Sequence, residues 1–356
     1  MMNADLNTPV TVRAGEELPV DRLTGYLHRQ LPDFQGQVTV EQFPDGYSNL
    51  TYLIRLGDNE LVLRRPPFGN KVASAHDMGR EYRMLSRLSK VFPAAPQPDL
   101  FCDDMDILGA PFYLMERRRG LILRKKIPRD ITIDAVMARR MSCSLIDHLA
   151  ALHAVDYQAA GLADMGKPDG YVERQVTGWT KRYSQAQTSV VPAMENVAKW
   201  LNGNMPKEAG VSVIHNDYKY DNVMFDHTDL TKIVAVLDWE MATIGDPLMD
   251  LGTSLGYWVQ ATDPEALQQA AFGPTAIPGS LTRQELIDRY QEQTGVEILD
   301  PIFYYCFGLF KLAVIVQQIY ARFARGNTSD ARFAHLNQLV SLLGMQAERT
   351  LQSGTI

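Results

Sequence analysis

Hydrophobic and polar positions follow two different patterns along the chain. From about residue 37 to about residue 115, short runs that are β-branched or alternate between apolar and polar side chains predict strands, as in VTVEQF, LTYLIRL and ELVLRR. The turn signals PDGYSN and GDN separate these runs, and one helical pattern lies among them. After about residue 120, apolar residues recur at helical spacing, for example Leu145, Leu149 and Leu152. The pattern predicts an α+β chain, with a small sheet-rich lobe followed by a larger, mainly helical one.

The second lobe contains several long helical patterns, which cover roughly 173–202, 282–293, 300–325 and 330–352. In its centre, VSVIHND, NVMFD and IVAVLDWE indicate short strands around a polar loop. The most apolar stretch, 302–316, is shorter than the ~20 residues of a membrane span and contains Lys311. We therefore expect a buried helix here, with Asp300 as N-cap, Pro301 at its first position and Gly326 beyond its end.

Composition excludes several classes of protein. A chain of 356 residues exceeds the usual size of a single core, and 46% hydrophobic with 22% charged residues is typical of a globular protein. The net charge of −7 argues against nucleic acid as a partner, and we expect no membrane partner. The three cysteines are far apart and the N-terminus lacks a signal-peptide pattern, which favours a cytoplasmic protein. The sequence does not specify an oligomeric state.

The loop HNDYKYDN supplies Asp217 and Asn222, and Asp238 ends a strand-like run sixteen residues after Asn222. A hairpin would bring the three side chains together. A carboxamide and a carboxylate are oxygen ligands that Mg²⁺ accepts beside nucleotide phosphates, so Asn222 and Asp238 are the candidate metal ligands. Asp217 would then orient a substrate hydroxyl and take its proton. The alternative is that Asn and Asp stand here only as turn formers.

For four other polar residues of the second lobe we predict supporting or structural roles. A cation at Lys219 would steady the charge of a transferring phosphoryl group, although a solvated loop lysine is nearly as plausible. We expect His215 to brace the loop through hydrogen bonds, and His148 and His153, which lie on a helical pattern, to be structural.

The polar turn from Asp45 to Asn49 belongs to a predicted hairpin in the first lobe. Its backbone N–H groups and side chains, with Ser48 and Asn49 as candidates, would cover nucleotide phosphates. An ordinary hairpin turn explains the same residues equally well.

A buried ion pair is predicted between a strand and a helix of the first lobe. Glu81 lies on the apolar face of a helix predicted over 74–88, with Ser74 as N-cap and Asp77 in a capping box. A buried carboxylate needs a partner, and Arg64 is the candidate, since the two arginines of LVLRR point to opposite faces of their strand. The pair would hold a cation where nucleotide phosphates sit; a solvated surface glutamate is the alternative.

The segment APFYLMERRRG joins the two lobes. Its strand would offer backbone groups of Met115, Glu116 and Arg117 to an adenine edge, with the Met115 side chain against the base. By sequence alone it is equally an edge strand followed by a turn.

The motifs VIHNDYKYDNVMFD and IVAVLDWEMATIGDPLMDLG resemble those of the aminoglycoside phosphotransferase (APH) family, and the resemblance extends from about residue 25 onward. It implies a bilobal protein-kinase-like fold, with a nucleotide-binding lobe over 1–117 and a catalytic lobe over 118–356, and it implies ATP and Mg²⁺ as cofactors. The roles that it implies are Asp217 as base, Asn222 and Asp238 as metal ligands, Asp250 as a brace of the catalytic loop, Arg64 and Glu81 as the phosphate-binding pair, and LMER as the hinge.

Within the family, REYRMLSRL, DGYVERQVTGW and LDWEMATIGDP resemble the kinase-like domains found beside or fused to acyl-CoA dehydrogenases. Three positions depart from the wider pattern. Arg64 stands where many kinases have Lys, Asn216 replaces a common Gly, and Trp239 replaces the Phe-Gly of protein kinases. The chain also lacks a recognisable activation segment, which argues against a phosphorylation-regulated protein kinase.

Charge runs give conflicting indications about the phosphate acceptor. Residues 262–300 hold seven acidic and two basic side chains, which suits a polycationic aminoglycoside. Residues 116–140 hold nine basic and three acidic ones, which suits an anionic acceptor such as a hydroxyacyl-CoA, although such runs are usually solvated faces. Because of the subgroup resemblance, we predict an ATP- and Mg²⁺-dependent O-phosphotransferase acting on a small-molecule hydroxyl of a metabolite. The alternatives are an aminoglycoside phosphotransferase and an inactive nucleotide-binding pseudokinase.

Overall fold

The computed structural model describes most of the chain, namely residues 8–33, 36–44, 49–68, 77–125, 127–128, 131–328 and 330–356. These residues fall into two compact units. The first contains the described residues up to Ile122 together with Ala160–Leu162 and Met224–Ala242. The second contains Leu123–Ala159, Ala163–Val223 and Thr243–Ile356.

The described residues form nine strands, labelled β1 to β9 in chain order: Val38–Gln42, Leu50–Leu56, Asn59–Arg65, Pro98–Cys102, Phe112–Glu116, Ser212–Ile214, Val223–Phe225, Ile233–Val236 and Thr243–Gly245. They also form eleven α-helices, α1 to α11: Val20–Gln30, Met78–Leu88, Met105–Leu108, Ala135–His153, Tyr171–Ala186, Pro192–Gly203, Pro247–Tyr257, Glu265–Gln269, Arg283–Thr294, Pro301–Ala324 and Leu336–Ser353.

A five-stranded antiparallel sheet in the order β1-β2-β3-β5-β4 forms the centre of the first unit. The three predicted strand runs are confirmed as β1, β2 and β3, with Leu53 opposite Val62 in the β2–β3 register. Alternating side chains such as Tyr52, Ile54 and Leu63 are completely buried on one face of the sheet, where α1 also packs. The hydrophobic pattern had not indicated α1.

Helix α2 starts later than its sequence pattern suggests. It begins at Met78, and Asp77 is itself the N-cap, since its carboxylate accepts a hydrogen bond from the backbone N–H of Arg80. The predicted N-cap Ser74 lies outside the described residues. From Met78 onward the apolar face is as predicted, with Glu81 buried among Leu85 and Leu88.

The predicted hairpin after the polar loop is confirmed. Strands β7 and β8 form a two-stranded sheet, and the Asp226 N–H donates to the Lys232 carbonyl at 2.8 Å as the chain turns. Asp238 follows two residues after β8, so the hairpin fixes its position in the first unit.

Helix α10 forms the centre of the second unit, where it packs against α5, α6, α7 and α11. Its crossing with α7 is very close, because a Cβ added at Gly308 would lie 1.9 Å from the Gly252 carbonyl oxygen. The predicted helix start is confirmed, with Asp300 as N-cap and Pro301 first, and Gly326 has a φ of 72° beyond the end.

The helix predicted over 300–325 is confirmed as α10. Its 24 residues are long and apolar enough to cross a membrane by length and composition alone. However, 78% of its most apolar window is buried inside the unit, as expected for a core helix. The helical pattern over 173–202 is also corrected, since it divides into α5 and α6, and Pro192 opens the second of them.

Candidate active site

The loop that follows β6 is fixed by one buried carboxylate. Asp250 on α7 is fully buried and accepts hydrogen bonds from the backbone N–H groups of His215 and Asn216, each at 2.7 Å. These contacts confirm the predicted bracing role. Burial alone would raise the pKa of Asp250, but hydrogen bonding from His153 and from the loop outweighs it, so the pKa lies below its ordinary value.

The histidines of this region are structural, as predicted. His153 joins Asp250 to Tyr290, with Nε2 3.1 Å from the carboxylate and Nδ1 2.7 Å from the tyrosine hydroxyl. The His215 ring is fully buried, and its Nδ1 accepts a hydrogen bond from the Asp217 N–H at 3.3 Å. The ring therefore holds the backbone of the residue predicted to act as base.

Two residues of the predicted motifs adopt backbone conformations that side chains disfavour. Asn216 has a φ of 67° and Asp238 a φ of 65°, and they are the only non-glycine residues with positive φ in the described part of the chain. Asn and Asp tolerate this region better than other residues with a side chain, and glycine adopts it freely. Strain of this kind concentrates at functional sites.

Asp217 presents one carboxylate oxygen to the rest of the loop and leaves the other open. Its Oδ2 is ion-paired with the Lys219 ammonium and accepts a hydrogen bond from the Asn222 Nδ2 at 2.7 Å. No described residue donates a hydrogen bond to its Oδ1, and 17% of the side chain is exposed. An acceptor oxygen held in this way is suited to receive a proton from a bound hydroxyl.

Asn222 is oriented by the same contacts. Its Nδ2 donates both to Asp217 Oδ2 and to the Asp217 carbonyl at 2.8 Å, so its Oδ1 must point away from them. Among the described residues none donates to this oxygen. A carboxamide oxygen fixed without a donor fits the preference of Mg²⁺ for oxygen ligands.

The first unit contains the predicted buried ion pair. The Nη1 of Arg64 lies 2.5 Å from Glu81 Oε1, and its Nη2 lies 2.9 Å from Asp238 Oδ1. Burial lowers the pKa of Arg64, but the negative groups around it raise it well above its ordinary value. Burial raises the pKa of the Glu81 carboxyl, and the guanidinium offsets part of that rise. The Asp238 contact was not anticipated from the sequence.

Three carboxylates act electrostatically on Arg64, and a second arginine lies nearby, since Arg80 Nη1 donates to the Glu240 carbonyl at 3.5 Å. Glu81, Asp238 and Glu240 all act on this one guanidinium, and Glu240 Oε2 also accepts a hydrogen bond from Asn49 Nδ2 at 2.7 Å. Asp238 Oδ1 is already paired with Arg64, and the role of Asp238 as a Mg²⁺ ligand stays a prediction. Glu240 was not singled out as a site residue, although it stands inside the LDWE motif; its pairing with Asn49 spans 191 residues.

The remaining nucleotide-binding predictions have mixed outcomes. Ser48 lies outside the described residues. Met115 lies in β5, which is an inner strand between β3 and β4 and not an edge strand. The Glu116 N–H donates to the Gln97 carbonyl at 2.9 Å, so that amide is already used within the sheet. The Arg117 side chain lies 2.5 Å from Glu60, and a nucleotide contact through its backbone stays a prediction.

Asp217, Lys219 and Asn222 belong to the second unit, whereas Asp238 belongs to the first. The structure brings the first three together and joins Asp238 to Arg64. The predicted convergence of Asp238 with Asp217 and Asn222 stays a prediction.

An apolar cavity lies in the second unit, next to the loop that carries Asp217 and Lys219. Aromatic and aliphatic side chains from α4, α7 and the segment after α8 form most of its wall, and they include Leu149, Leu255, Tyr257, Trp258 and Phe272. Lys219, which contacts Asp217, belongs to the same wall. No local sequence pattern indicates this cavity, because its lining residues are distributed from 145 to 286.

The wall of this cavity includes the hydroxyl of Ser254. The Ser254 hydroxyl is buried and makes no hydrogen bond among the described residues. A buried hydroxyl without a partner costs free energy, which a bound molecule with a polar group would recover.

The charged side chains of the two runs 116–140 and 262–300 are not among the residues that line this cavity. Arg117 and Arg119 both pair with Glu60, and Arg139 pairs with Glu285. In the acidic segment, Asp263 forms a buried ion pair with Arg283 at 2.7 Å. These charges are used within the protein, so their number says little about the acceptor.

The comparisons with known proteins agree with this geometry. Residues 39–283 match the phosphotransferase enzyme family called APH. A candidate aminoglycoside phosphotransferase from Ralstonia eutropha has 30% identity and a TM-score of 0.80, with 95% of this chain and 99% of that chain covered. A choline kinase from Cryptosporidium parvum has a TM-score of 0.62 at 12% identity, with 94% and 97% covered, which shows a shared fold.

Two curated relatives are longer proteins. Human acyl-CoA dehydrogenase family member 11 is 33% identical over 92% of this chain but only 43% of its own length. Mouse acyl-CoA dehydrogenase family member 10 is 35% identical over 90% of this chain and 30% of its own length. The chain thus spans less than half of these relatives.

The fold and the family match define the chain as a small-molecule phosphotransferase of bilobal, protein-kinase-like α+β architecture that acts on hydroxyl groups. It belongs to the APH phosphotransferase enzyme family.

Proposed function

We propose that this phosphotransferase uses ATP and Mg²⁺ to phosphorylate the hydroxyl of a metabolite with an apolar chain, such as a hydroxyacyl compound. The observation that carries this proposal is the apolar cavity beside the catalytic loop, whose wall includes the lysine paired with the proposed base. An apolar pocket with a few polar groups in its wall is the usual form of a small-molecule site.

In the proposed reaction the acceptor hydroxyl oxygen bonds to the γ-phosphorus of ATP. The bond from that phosphorus to the β,γ-bridging oxygen breaks, and ADP leaves with the bond's electron pair. The hydroxyl proton moves to Asp217 Oδ1, the oxygen that no described residue occupies. Lys219 and Asn222 hold the other oxygen and thereby fix the direction of the carboxylate.

Asn222 and Asp238 are the proposed ligands of Mg²⁺, which when bound would offset the negative charge of the phosphates. Arg64, held by Glu81, is the proposed phosphate-binding cation, and Asn49 stays a candidate through its contact with Glu240. Arg carries a planar fork in place of the compact ammonium of Lys, so we expect it to position two oxygens at once.

The cavity favours an apolar acceptor over a polycation. An aminoglycoside carries several ammonium groups, which require carboxylates around them, whereas the cavity wall contains one acidic residue, Asp221, and one cation, Lys219. The names of the curated relatives, acyl-CoA dehydrogenase family members 10 and 11, also support an acyl compound.

Transfer from labelled ATP in the presence of Mg²⁺ tests the proposal. The acceptor panel contains a medium-chain hydroxyacyl-CoA, the corresponding free hydroxy acid, choline, kanamycin, hygromycin B and spectinomycin. We expect label on the hydroxyacyl compounds and none on the three antibiotics. Label on the antibiotics alone would overturn the proposed acceptor.

A pair of variants separates a kinase from a nucleotide-binding module without turnover. Asp217→Asn should abolish transfer while MgATP binding, measured by calorimetry, stays within about threefold of wild type. Asp288→Asn changes an exposed carboxylate on α9 and serves as the control that should retain transfer. Unchanged transfer in Asp217→Asn would contradict the assignment of the base, and MgATP binding without transfer to any acceptor would favour the module.

A further inference from the structure

A lysine ammonium lies in the apolar core of the second unit. Lys311 is in the middle of α10, and only 2% of the residue is exposed. Its Nζ donates to the Asn216 carbonyl at 2.8 Å and to the Asn216 Oδ1 at 3.2 Å, with Thr253 Oγ1 at 3.4 Å. A buried ammonium with three donors thus has three acceptors, and two of them belong to one residue of the catalytic loop.

The close crossing of α7 and α10 explains how the lysine reaches this loop. Gly308 lies one turn before Lys311, and it meets Gly252 and Gly256 of α7 with no room for a side chain. The backbones therefore approach so closely that Lys311 lies beside Thr253, the residue after Gly252. A larger residue at the crossing would move the ammonium away from the loop.

The peptide group between Asn216 and Asp217 is held at both ends. Its carbonyl oxygen accepts from Lys311 at 2.8 Å, and its N–H donates to His215 Nδ1 at 3.3 Å. The preceding N–H, that of Asn216, donates to Asp250 at 2.7 Å. The left-handed φ of 67° at Asn216 is thus maintained by a buried cation on one side and a buried anion on the other.

We propose that Lys311 is a positioning residue for phosphoryl transfer, because its ammonium fixes the Asn216–Asp217 peptide and so sets the direction of the Asp217 carboxylate. The inference rests on the proposed function in one respect, namely that Asp217 is the base. Lys311 itself is not proposed to contact ATP or the acceptor. A small misplacement of a catalytic group costs up to about a hundredfold in rate, so a fixed peptide has a measurable effect.

The surroundings of the ammonium make it titratable near neutral pH. The charged groups that act on it are Asp250 on α7, Asp217 and Lys219 on the loop, and Arg182 on α5. The Trp179 ring centroid, also on α5, lies 5.7 Å from the Nζ. Burial lowers the pKa of Lys311 to about 8, and the two carboxylates offset only part of that effect. The Lys311 ammonium, the tether that holds the Asn216–Asp217 peptide, therefore loses its charge as the pH rises through about 8.

Turnover of two variants tests the role. Lys311→Met replaces the aliphatic part of the side chain by an apolar chain of similar length and removes the ammonium. We therefore expect kcat to fall about tenfold to a hundredfold while KM for MgATP changes less than about threefold. Lys311→Arg retains a charge and should recover part of kcat. Lys181→Met, on the exposed surface of α5, is the matched control and should behave as wild type.

The pH profile separates positioning from a merely structural role. Wild-type kcat should decline above about pH 8, where the ammonium deprotonates. Lys311→Arg should lack this decline, since a guanidinium stays charged, and Lys311→Met should be low on both sides of that pH. A wild-type decline that persists unchanged in Lys311→Met would overturn the proposal, as would full kcat in that variant.

Hydrogen exchange provides a readout that does not need the acceptor. In Lys311→Met the amides of the peptide spanning 212–222 should exchange faster than in wild type, while those of α2 in the first unit stay unchanged. Asp217→Asn should abolish transfer and leave this exchange as in wild type, so loss of the proposed base and loss of the tether give different results. Unchanged exchange in Lys311→Met would contradict the tether even if no acceptor were phosphorylated.

Discussion

Replacing Lys311 by Met should change how the stability of the protein depends on pH. The lysine's pKa falls from its usual 10.5 to about 8 in the folded protein because of burial. Between these two values the unfolded chain binds more protons than the folded chain, so the free energy of unfolding rises with pH in this window. In wild type the gain amounts to about 2 kcal/mol by about pH 9.5 and approaches about 3 kcal/mol at higher pH.

At about pH 7 the two proteins should have similar stability. Lys311→Met removes a buried charge that costs about 3 kcal/mol, but it leaves the Asn216 carbonyl and Oδ1 without their donor, which costs about 1–3 kcal/mol. The effects oppose each other, so the variant should lie within about 2 kcal/mol of wild type. Only the dependence on pH then reveals the buried ammonium.

Urea unfolding followed by circular dichroism measures both proteins from about pH 7 to about pH 9.5. The difference in unfolding free energy, wild type minus Lys311→Met, should grow by about 2 kcal/mol over this range. All other titratable groups are the same in both proteins, so their contributions cancel in the difference. A difference that stays flat would show that the lysine keeps an ordinary pKa, and the account of its burial would be refuted.

Three further substitutions test other parts of the structure. Gly308→Ala should destabilise the protein by about 3 kcal/mol in a thermal unfolding assay, because its methyl group would overlap the α7 backbone. Gly203→Ala is the control and should be neutral in the same assay, because the space around Gly203 is open. Asp250→Asn should lower the unfolding free energy by about 3 kcal/mol in urea and reduce turnover, and unchanged stability would mean that the loop does not depend on it. Ser254→Phe should fill part of the cavity and raise KM for the acceptor with MgATP binding unchanged; an unaffected acceptor KM would place the acceptor elsewhere.

Several features followed from local patterns in the sequence. Strands β1 to β3, the β7–β8 hairpin and the start of α10 were predicted because alternation, turn residues and capping residues act over a few positions. The Arg64–Glu81 pair was predicted from a more general rule, that a carboxylate on an apolar helix face needs a cation. The family motifs identified the residues of the loop after β6, because each motif covers only a short segment of the chain.

The boundaries of some helices were predicted wrongly, because several residues in the same segment can begin a helix. The segment 173–202 has continuous helical periodicity, yet it forms two helices, because Pro192 favours the first position of a new helix. Helix α2 begins at Met78 after an Asp77 cap, although Ser74 also precedes an apolar periodic run. Such boundaries depend on which of several capable side chains caps the helix, and that choice is made by the packing of the whole element.

The sequence by itself determined the family and with it the class of chemistry, because the family motifs are local. The types and spacing of Asp217, Asn222 and Asp238 led to their proposed roles as base and oxygen ligands. Only the tertiary structure decided what surrounds them. The Asn49–Glu240 hydrogen bond joins residues that are 191 positions apart, and the Lys311 tether joins residues that are 95 positions apart. The residues that line the apolar cavity lie up to 141 positions apart. No periodicity connects such positions, because their contacts arise from helix crossings and chain topology, and the burial that makes Lys311 titratable exists only in the folded chain.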